Sequence, residues 1–265
     1  LAVQGGAMLL RSTNAPTVII ESSSFEQNSA IGMCWRQSLS AAASGCLSRS
    51  IGGAVLFDLS GETECDIRIG RDTAFIANNA SSGGALAIAV SAQTHLTQST
   101  VSIDSARFQA NSAIQNGAGP PNAELIARGG AVLLAMDGDV SRSSFAIQNT
   151  SFSQNVAASS RGNATASGGA VHLHTFGSNF TRSHFLVSSS KFTNNSARAS
   201  DPHPVGFDAY GGAIIVQLAA YTSESNITLI ESNFSSNRAK SAGAVQIYSG
   251  TRTGDASIAK KQSLK

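Results

Sequence analysis

A six-residue signature, F-x-x-N-x-A, occurs six times in this chain and alternates with a Gly-Gly-Ala step that leads into an apolar strand. The copies begin at Phe25, Phe75, Phe108, Phe152, Phe192 and Phe234, which places the signature asparagines at Asn28, Asn78, Asn111, Asn155, Asn195 and Asn237. Gly-Gly-Ala starts at Gly5, Gly52, Gly83, Gly129, Gly168 and Gly211, and a degenerate Ala242-Gly243-Ala244 closes the series. Self-similarity at a spacing of roughly 30–50 residues marks stacked units that cannot bury their apolar faces singly. Such a chain is expected to build a long surface, not a pocket.

Within a unit the apolar residues alternate. Val101 and Ile103, Phe145 and Ile147, and Phe185 and Val187 precede their phenylalanines by seven and five residues. Period-two alternation puts such pairs on one face of a strand. Ile67 and Ile69 are slipped by one relative to Phe75, which reads as a bulge in that strand. Alternation resumes after each Gly-Gly-Ala, as in Val132 and Leu134 or Val171 and Leu173. No run is long and periodic enough for a helix. The expected fold is all-β: a right-handed, single-stranded parallel β-helix (a solenoid) of about six to seven coils, with one elongated domain over residues 1–265. Coils spaced by about 4.8 Å would set Phe on Phe and Asn on Asn, the amides bonding up the stack. Long connections after Asn28, Asn111, Asn155 and Asn195 leave the same corner and read as loops along one edge, where binding residues usually reside. They carry Trp35 and Tyr210.

The pairing of Gly-Gly-Ala plus an aliphatic residue with F-x-x-N, in six ordered copies over nearly the whole chain, resembles the repeat of the polymorphic outer membrane proteins. That family comprises bacterial surface adhesins with relatives among algal and protist surface proteins. The resemblance implies an extracellular or cell-surface β-helix engaged in adhesion.

Composition narrows the field further. Charged residues make up 13% with a formal net charge of +2, which provides no basic stripe for nucleic acid. No apolar stretch approaches the ~20 residues of a membrane span, so a membrane would be reached only through segments outside this sequence. The first strand lies close to Leu1 and the last repeat close to Lys265, and the chain reads as part of a longer extracellular protein. Of the cysteines, Cys34 and Cys46 share one insertion and are placed for a local disulfide, leaving Cys65 over; three reduced thiols are the alternative. Sequons occur at Asn79, Asn149, Asn163, Asn179, Asn194, Asn226 and Asn233, whereas each ladder asparagine has Ala two places on and cannot be one. Sugars outside and amides inside fit a secreted glycoprotein.

Parallel β-helices also serve as polysaccharide lyases and hydrolases, which need carboxylates and a base converging over neighbouring coils. The candidate sets are Asp66 with Arg68, Arg71 and Asp72, Asp137 with Asp139, and Asp201, His203 and Asp208, and none repeats in register. His172 and His174 share an outward face without a third ligand nearby, so no metal and no cofactor is expected. That same outward face carries Leu9, Leu56, Leu133, Ile215 and Tyr248. An apolar exterior column needs a cover. Either the chain's own loops supply it or a partner does; the partner is the expectation taken forward, with Trp35 and Tyr210 on the loop edge as further contacts. The sequence therefore reads as a non-catalytic scaffold for adhesion or assembly, binding other chains or copies of itself and extracellular glycans. A carbohydrate-active β-helix is the alternative.

Overall fold

The structure, a computed structural model, describes residues 7–13, 16–30, 51–115, 124–160, 163–175, 179–200, 208–218, 221–249 and 257–261. Among these residues the fold is all-β, with no helix and every strand pairing parallel. The strands form stacked sheets in which each repeat adds one strand, an arrangement consistent with a parallel β-helix.

Strands that follow Gly-Gly-Ala, from Met8–Ser12 through Val132–Met136 to Val245–Ser249, make one seven-stranded sheet. Those ahead of the signature phenylalanines, from Thr17–Glu21 to Asn226–Ile230, make a second sheet of seven together with Ser257–Lys261. The phenylalanines lie in a six-stranded sheet that runs from Ser24–Glu26 to Asn233–Ser235. A five-stranded sheet of two- and three-residue strands, among them His95–Thr97 and Asp139–Ser141, lies between the two larger sheets in sequence. Register is kept residue for residue, as in Val132↔Val171, Leu134↔Leu173 and Phe108↔Phe152. Equivalent side chains therefore stack. The six phenylalanine rings form one pile with centroids 4.7–4.9 Å apart and planes within 7° of parallel. That spacing is the strand spacing itself. Phe75, Phe108, Phe152 and Phe192 are fully buried, and burying each contributes about 2–3 kcal/mol.

Two expectations need correcting. The strand bearing Ile67 and Ile69 is not bulged: it pairs Val18↔Ile67 and Val101↔Ile67 in step with its neighbours. The extra residue sits in the turn beyond, where Arg71 and Asp72 both take positive φ (45° and 65°) while the equivalent turns use one such residue. A turn absorbs an insertion more cheaply because a strand would have to break its ladder on both sides. The long connections after Asn111, Asn155 and Asn195 are likewise not plain loops. Each sends out a strand (Ser112–Gln115, Val156–Ser160, Ser196–Ser200) and brings one back (Glu124–Arg128, Asn163–Ser167, Asp208–Tyr210). The outgoing and returning sheets meet through a small core made only of alanines: Ala127, Ala157, Ala166, Ala197 and Ala209, with Ala199 and Ala239 packed against it. Residues 31–50 of the connection after Asn28, with Cys34, Trp35 and Cys46, lie outside the described residues, as do Asp201 and His203.

Candidate functional site

The signature asparagines form one continuous column. Asn28 donates from Nδ2 to Oδ1 of Asn78 at 2.9 Å, and the same bond recurs from Asn78 to Asn111, Asn111 to Asn155, Asn155 to Asn195 and Asn195 to Asn237 at 2.9–3.0 Å. Each accepting Oδ1 also takes the backbone N–H of the preceding asparagine, as Asn155 does from Asn111 at 3.0 Å. The second Nδ2 hydrogen goes back to a phenylalanine carbonyl, Asn155 to Phe108 at 3.0 Å. An interior amide thus fills two donor and two acceptor positions, its whole capacity. Asn78, Asn111, Asn155 and Asn195 are fully buried, an acceptable location only because nothing is left unpaired.

Two further ladders, built from hydroxyls, were not recognised in the sequence. In one, the backbone N–H of Cys65, Ser99, Ser143 and Ser183 each donates to the hydroxyl of the next member, ending on Ser225, at 2.9–3.1 Å. In the other, Ala106, Thr150 and Ser190 donate in turn to Thr150, Ser190 and Ser232 at 3.2–3.4 Å. The hydroxyls pass their own protons to the carbonyl two residues back, as Ser143 does to Ser141 at 2.9 Å. Every ladder residue but Cys65 follows a corner in left-handed conformation, for example Arg142 (φ 50°), Asn149 (φ 49°) and Gln154 (φ 58°). The ladder bonds offset the roughly 1–2 kcal/mol that a left-handed corner costs a residue with a Cβ.

The Gly-Gly pair divides its work. The first glycine takes positive φ, 57–68° in the copies at Gly52, Gly83, Gly129, Gly168 and Gly211. The second does not, but a Cβ there would collide with the backbone of the next coil: Gly84 with the Gly130 carbonyl, Gly130 with that of Gly169. This corner also decides what covers the outward apolar column. A Cβ on Gly83 would stand 3.0 Å from the Ala87 Cβ and 3.1 Å from that of Leu133, and one on Gly168 would stand 3.2 Å from His172. The chain folds back tightly enough at the corner to tuck under the residue four places on. Leu56, Ala87, Leu133, His172 and Ile215 are all at most 4% exposed, and Ile51 packs with Leu56, Ala87 and Leu133. The expectation that Leu56, Leu133 and Ile215 meet a partner is therefore corrected: this chain buries them itself. Leu9 and Tyr248, at the two ends of the column, stay exposed (41% and 54%).

His172 and His174 are buried too, not outward in solvent, with ring centroids 5.3 Å apart and edge-on. Neither ring nitrogen of His172 makes a hydrogen bond. Burial first, then the neighbouring His174 and Arg128, push its pKa well below the ordinary value; the Ser167 backbone pulls weakly the other way without the alignment of a hydrogen bond. His172 therefore packs as a neutral ring between Leu133 and Ile215, its partners in register. His174 Nε2 lies 3.3 Å from Asp137.

The charged sets considered for catalysis are drawn apart. Asp66 pairs with Arg68 at 2.7 Å on its own strand, and Arg71 reaches Glu21 at 3.2 Å. Asp137 is taken by His174, and Asp139 lies 3.4 Å from His95. Asp208 lies 3.8 Å from Lys240, and its hydrogen bond with the Tyr210 hydroxyl is the main cause that pushes that phenol up to about 12. Among the described residues no group of three or more His, Cys, Asp or Glu is placed to hold a metal. Cys65 is a free, buried thiol whose pKa burial raises. Of the sequons, Asn149, Asn179, Asn194, Asn226 and Asn233 are exposed and Asn79 is half-buried, with Ser112 donating to its Oδ1 at 3.2 Å. The side chain of Asn163 lies outside the described residues.

Comparison of the chain with protein-family models, with curated proteins and with solved structures finds no match.

Proposed function

We propose that the chain is a right-handed, single-stranded parallel β-helix of six to seven coils that serves as a non-catalytic scaffold in adhesion or assembly of an extracellular, cell-surface or appendage glycoprotein. The coil count rests on the two seven-stranded sheets. One observation carries the reading: the repeating polar residues are consumed in stacking. The asparagine amides and corner hydroxyls, the polar side chains that recur from repeat to repeat, are buried in ladders that join coil to coil. What remains outside is a long polar surface with exposed sequons. The resemblance to the polymorphic outer membrane protein repeat supports the same reading.

With the middle of the apolar column buried, contact with partner chains falls to the loop edge and the polar outer faces rather than to Leu56, Leu133 and Ile215. The test is made on the natural source. Surface biotinylation of intact cells should label the protein, and enzymatic deglycosylation should lower its intact mass at one or more of the exposed sequons. An unlabelled protein whose mass does not change would refute the extracellular assignment.

A further inference from the structure

We propose that the groove on the outer face of the five-stranded sheet binds a linear, uncharged oligosaccharide. The groove is an open depression of about 360 Å³, at the small end of the range for ligand sites. Its floor is made by successive repeats. His95 is in register with Asp139, and the pairings Val140↔Phe180 and Phe180↔Thr222 place Asn179 and Tyr221 next in the same column. Two residues further on, and so on the same face, Thr97, Ser141 and Thr181 form a second column. Between the columns Leu96, Val140 and Phe180 point inward and are buried, which anchors the floor to the core.

The chemistry of the two columns is that of sugar recognition. Tyr221 shows 46% of its surface to solvent, a large apolar ring on which no other ring among the described residues is stacked. A ring so placed is a platform for the C–H face of a pyranose. Asp139 is held in one orientation: its Oδ1 accepts the Asn179 backbone N–H at 2.8 Å, and its Oδ2 lies 3.4 Å from His95 Nδ1. The remaining lone pairs can accept from sugar hydroxyls. The side chains of Thr97, Ser141, Thr181 and Asn179 have no hydrogen-bond partner among the described residues, so they can donate and accept at little cost. No lysine or arginine lines the groove and one carboxylate does, which disfavours uronate, sulfated or phosphorylated chains. Strands repeat at about 4.7–4.9 Å, close to the length of one pyranose unit. A glycan lying along the stack therefore meets one polar pair per sugar. Because the groove is open, most of the ligand stays in water and affinity is set in the millimolar to high-micromolar range.

This inference rests on the scaffold reading in one respect: the glycan is held and not cut. Asn179 is itself a sequon, and a sugar attached there would enter the same groove, so the protein is made in a host without N-glycosylation. Cellohexaose, chitohexaose, xylohexaose and mannohexaose are titrated by saturation-transfer NMR and calorimetry, with hexagalacturonate as the acidic control. At least one neutral hexaose should bind. Tyr221→Ala should weaken it roughly tenfold without changing the thermal midpoint, Asp139→Asn should weaken it less, and hexagalacturonate should not bind. The groove assignment is overturned if no neutral hexaose binds, if Tyr221→Ala binds like the parent protein, or if the acidic chain binds as well as the neutral ones. Cleavage of a bound hexaose would overturn the non-catalytic reading instead and leave the groove in place.

Discussion

Replacing Asn155 with leucine tests the amide ladder while keeping the number and branching of the side-chain heavy atoms. Asn155 is fully buried and makes four side-chain bonds: to Phe108 and Asn195 as donor, and from the backbone and side-chain nitrogens of Asn111 as acceptor. Leucine supplies none of them. Asn195 Oδ1 keeps one partner, the Asn155 backbone N–H at 3.0 Å. The two Asn111 donors lose theirs outright in a turn where both asparagines are fully buried. Each orphaned buried donor costs about 1–3 kcal/mol, so the substitution should cost about 2–5 kcal/mol after a small return from the apolar side chain. Asn28→Leu is the internal control. Asn28 only donates in the column and is half-buried, so its loss orphans no donor and should cost about 1 kcal/mol. Urea unfolding followed by far-UV circular dichroism gives both values, and amide exchange at Asn111 should quicken only in the interior variant. Equal costs at the two positions would refute the argument that stacking of satisfied amides holds the coils.

Leu133→Glu should destabilise the fold by several kcal/mol, because a carboxylate would replace a side chain only 3% exposed; an unchanged urea midpoint would show that the column is open after all. Gly84→Ala should prevent folding or cost more than 3 kcal/mol by driving a methyl into the Gly130 carbonyl. Ala242→Gly should add about 1 kcal/mol, since that alanine occupies the left-handed corner (φ 53°) that the other copies give to glycine; paired thermal midpoints check both. His172 sets a pH dependence. Its pKa is lowered in the folded state, so the unfolded chain binds the extra proton first. Its full stabilisation is present above the unfolded value of about 6.5 and is lost as pH falls through the folded pKa, at no more than about 1.4 kcal/mol per pH unit. His172→Leu should flatten the stability profile below pH ~6.5, and a profile unmoved by that change would refute the neutral packing.

How far the sequence could be read depended on how distinctive each column's residues are. Phe and Asn at fixed separation are conspicuous, and the structure stacks them as rings and amides. The hydroxyl ladders are equally regular but were hidden, because serine and threonine occur throughout the chain and Cys65 and Ala106 break the pattern. The paired strands beyond the asparagine turn passed for loops since their seam is alanine, which carries little hydropathy to signal a core. Alternation told which side of its strand Leu133 lies on. It could not tell that the Gly-Gly corner folds back over that side, a matter of backbone path rather than of residue type. The groove around Tyr221 left no trace in the sequence: its members are of different types, one or two from each repeat, and only register assembles them.

The amide column also gives the stack a sense of direction. Every bond in it points the same way, from the asparagine of one coil to the oxygen of the next, so the amide dipoles add instead of cancelling. Among the described residues, Asn28 leaves both its acceptor Oδ1 and its second Nδ2 hydrogen without a partner, whereas Asn237 leaves only a donor hydrogen, the other being bound to Phe192. The two faces of a coil are thus chemically unlike. A neighbour set against Asn28 must bring donors for Oδ1 and an acceptor for Nδ2, and one set against Asn237 must bring an acceptor. Coils of this kind can be joined head to tail, whereas two stacks brought together at their Asn237 faces would confront donor with donor. Lengthening such a stack by gene duplication is therefore permitted only in the order in which the chain already runs.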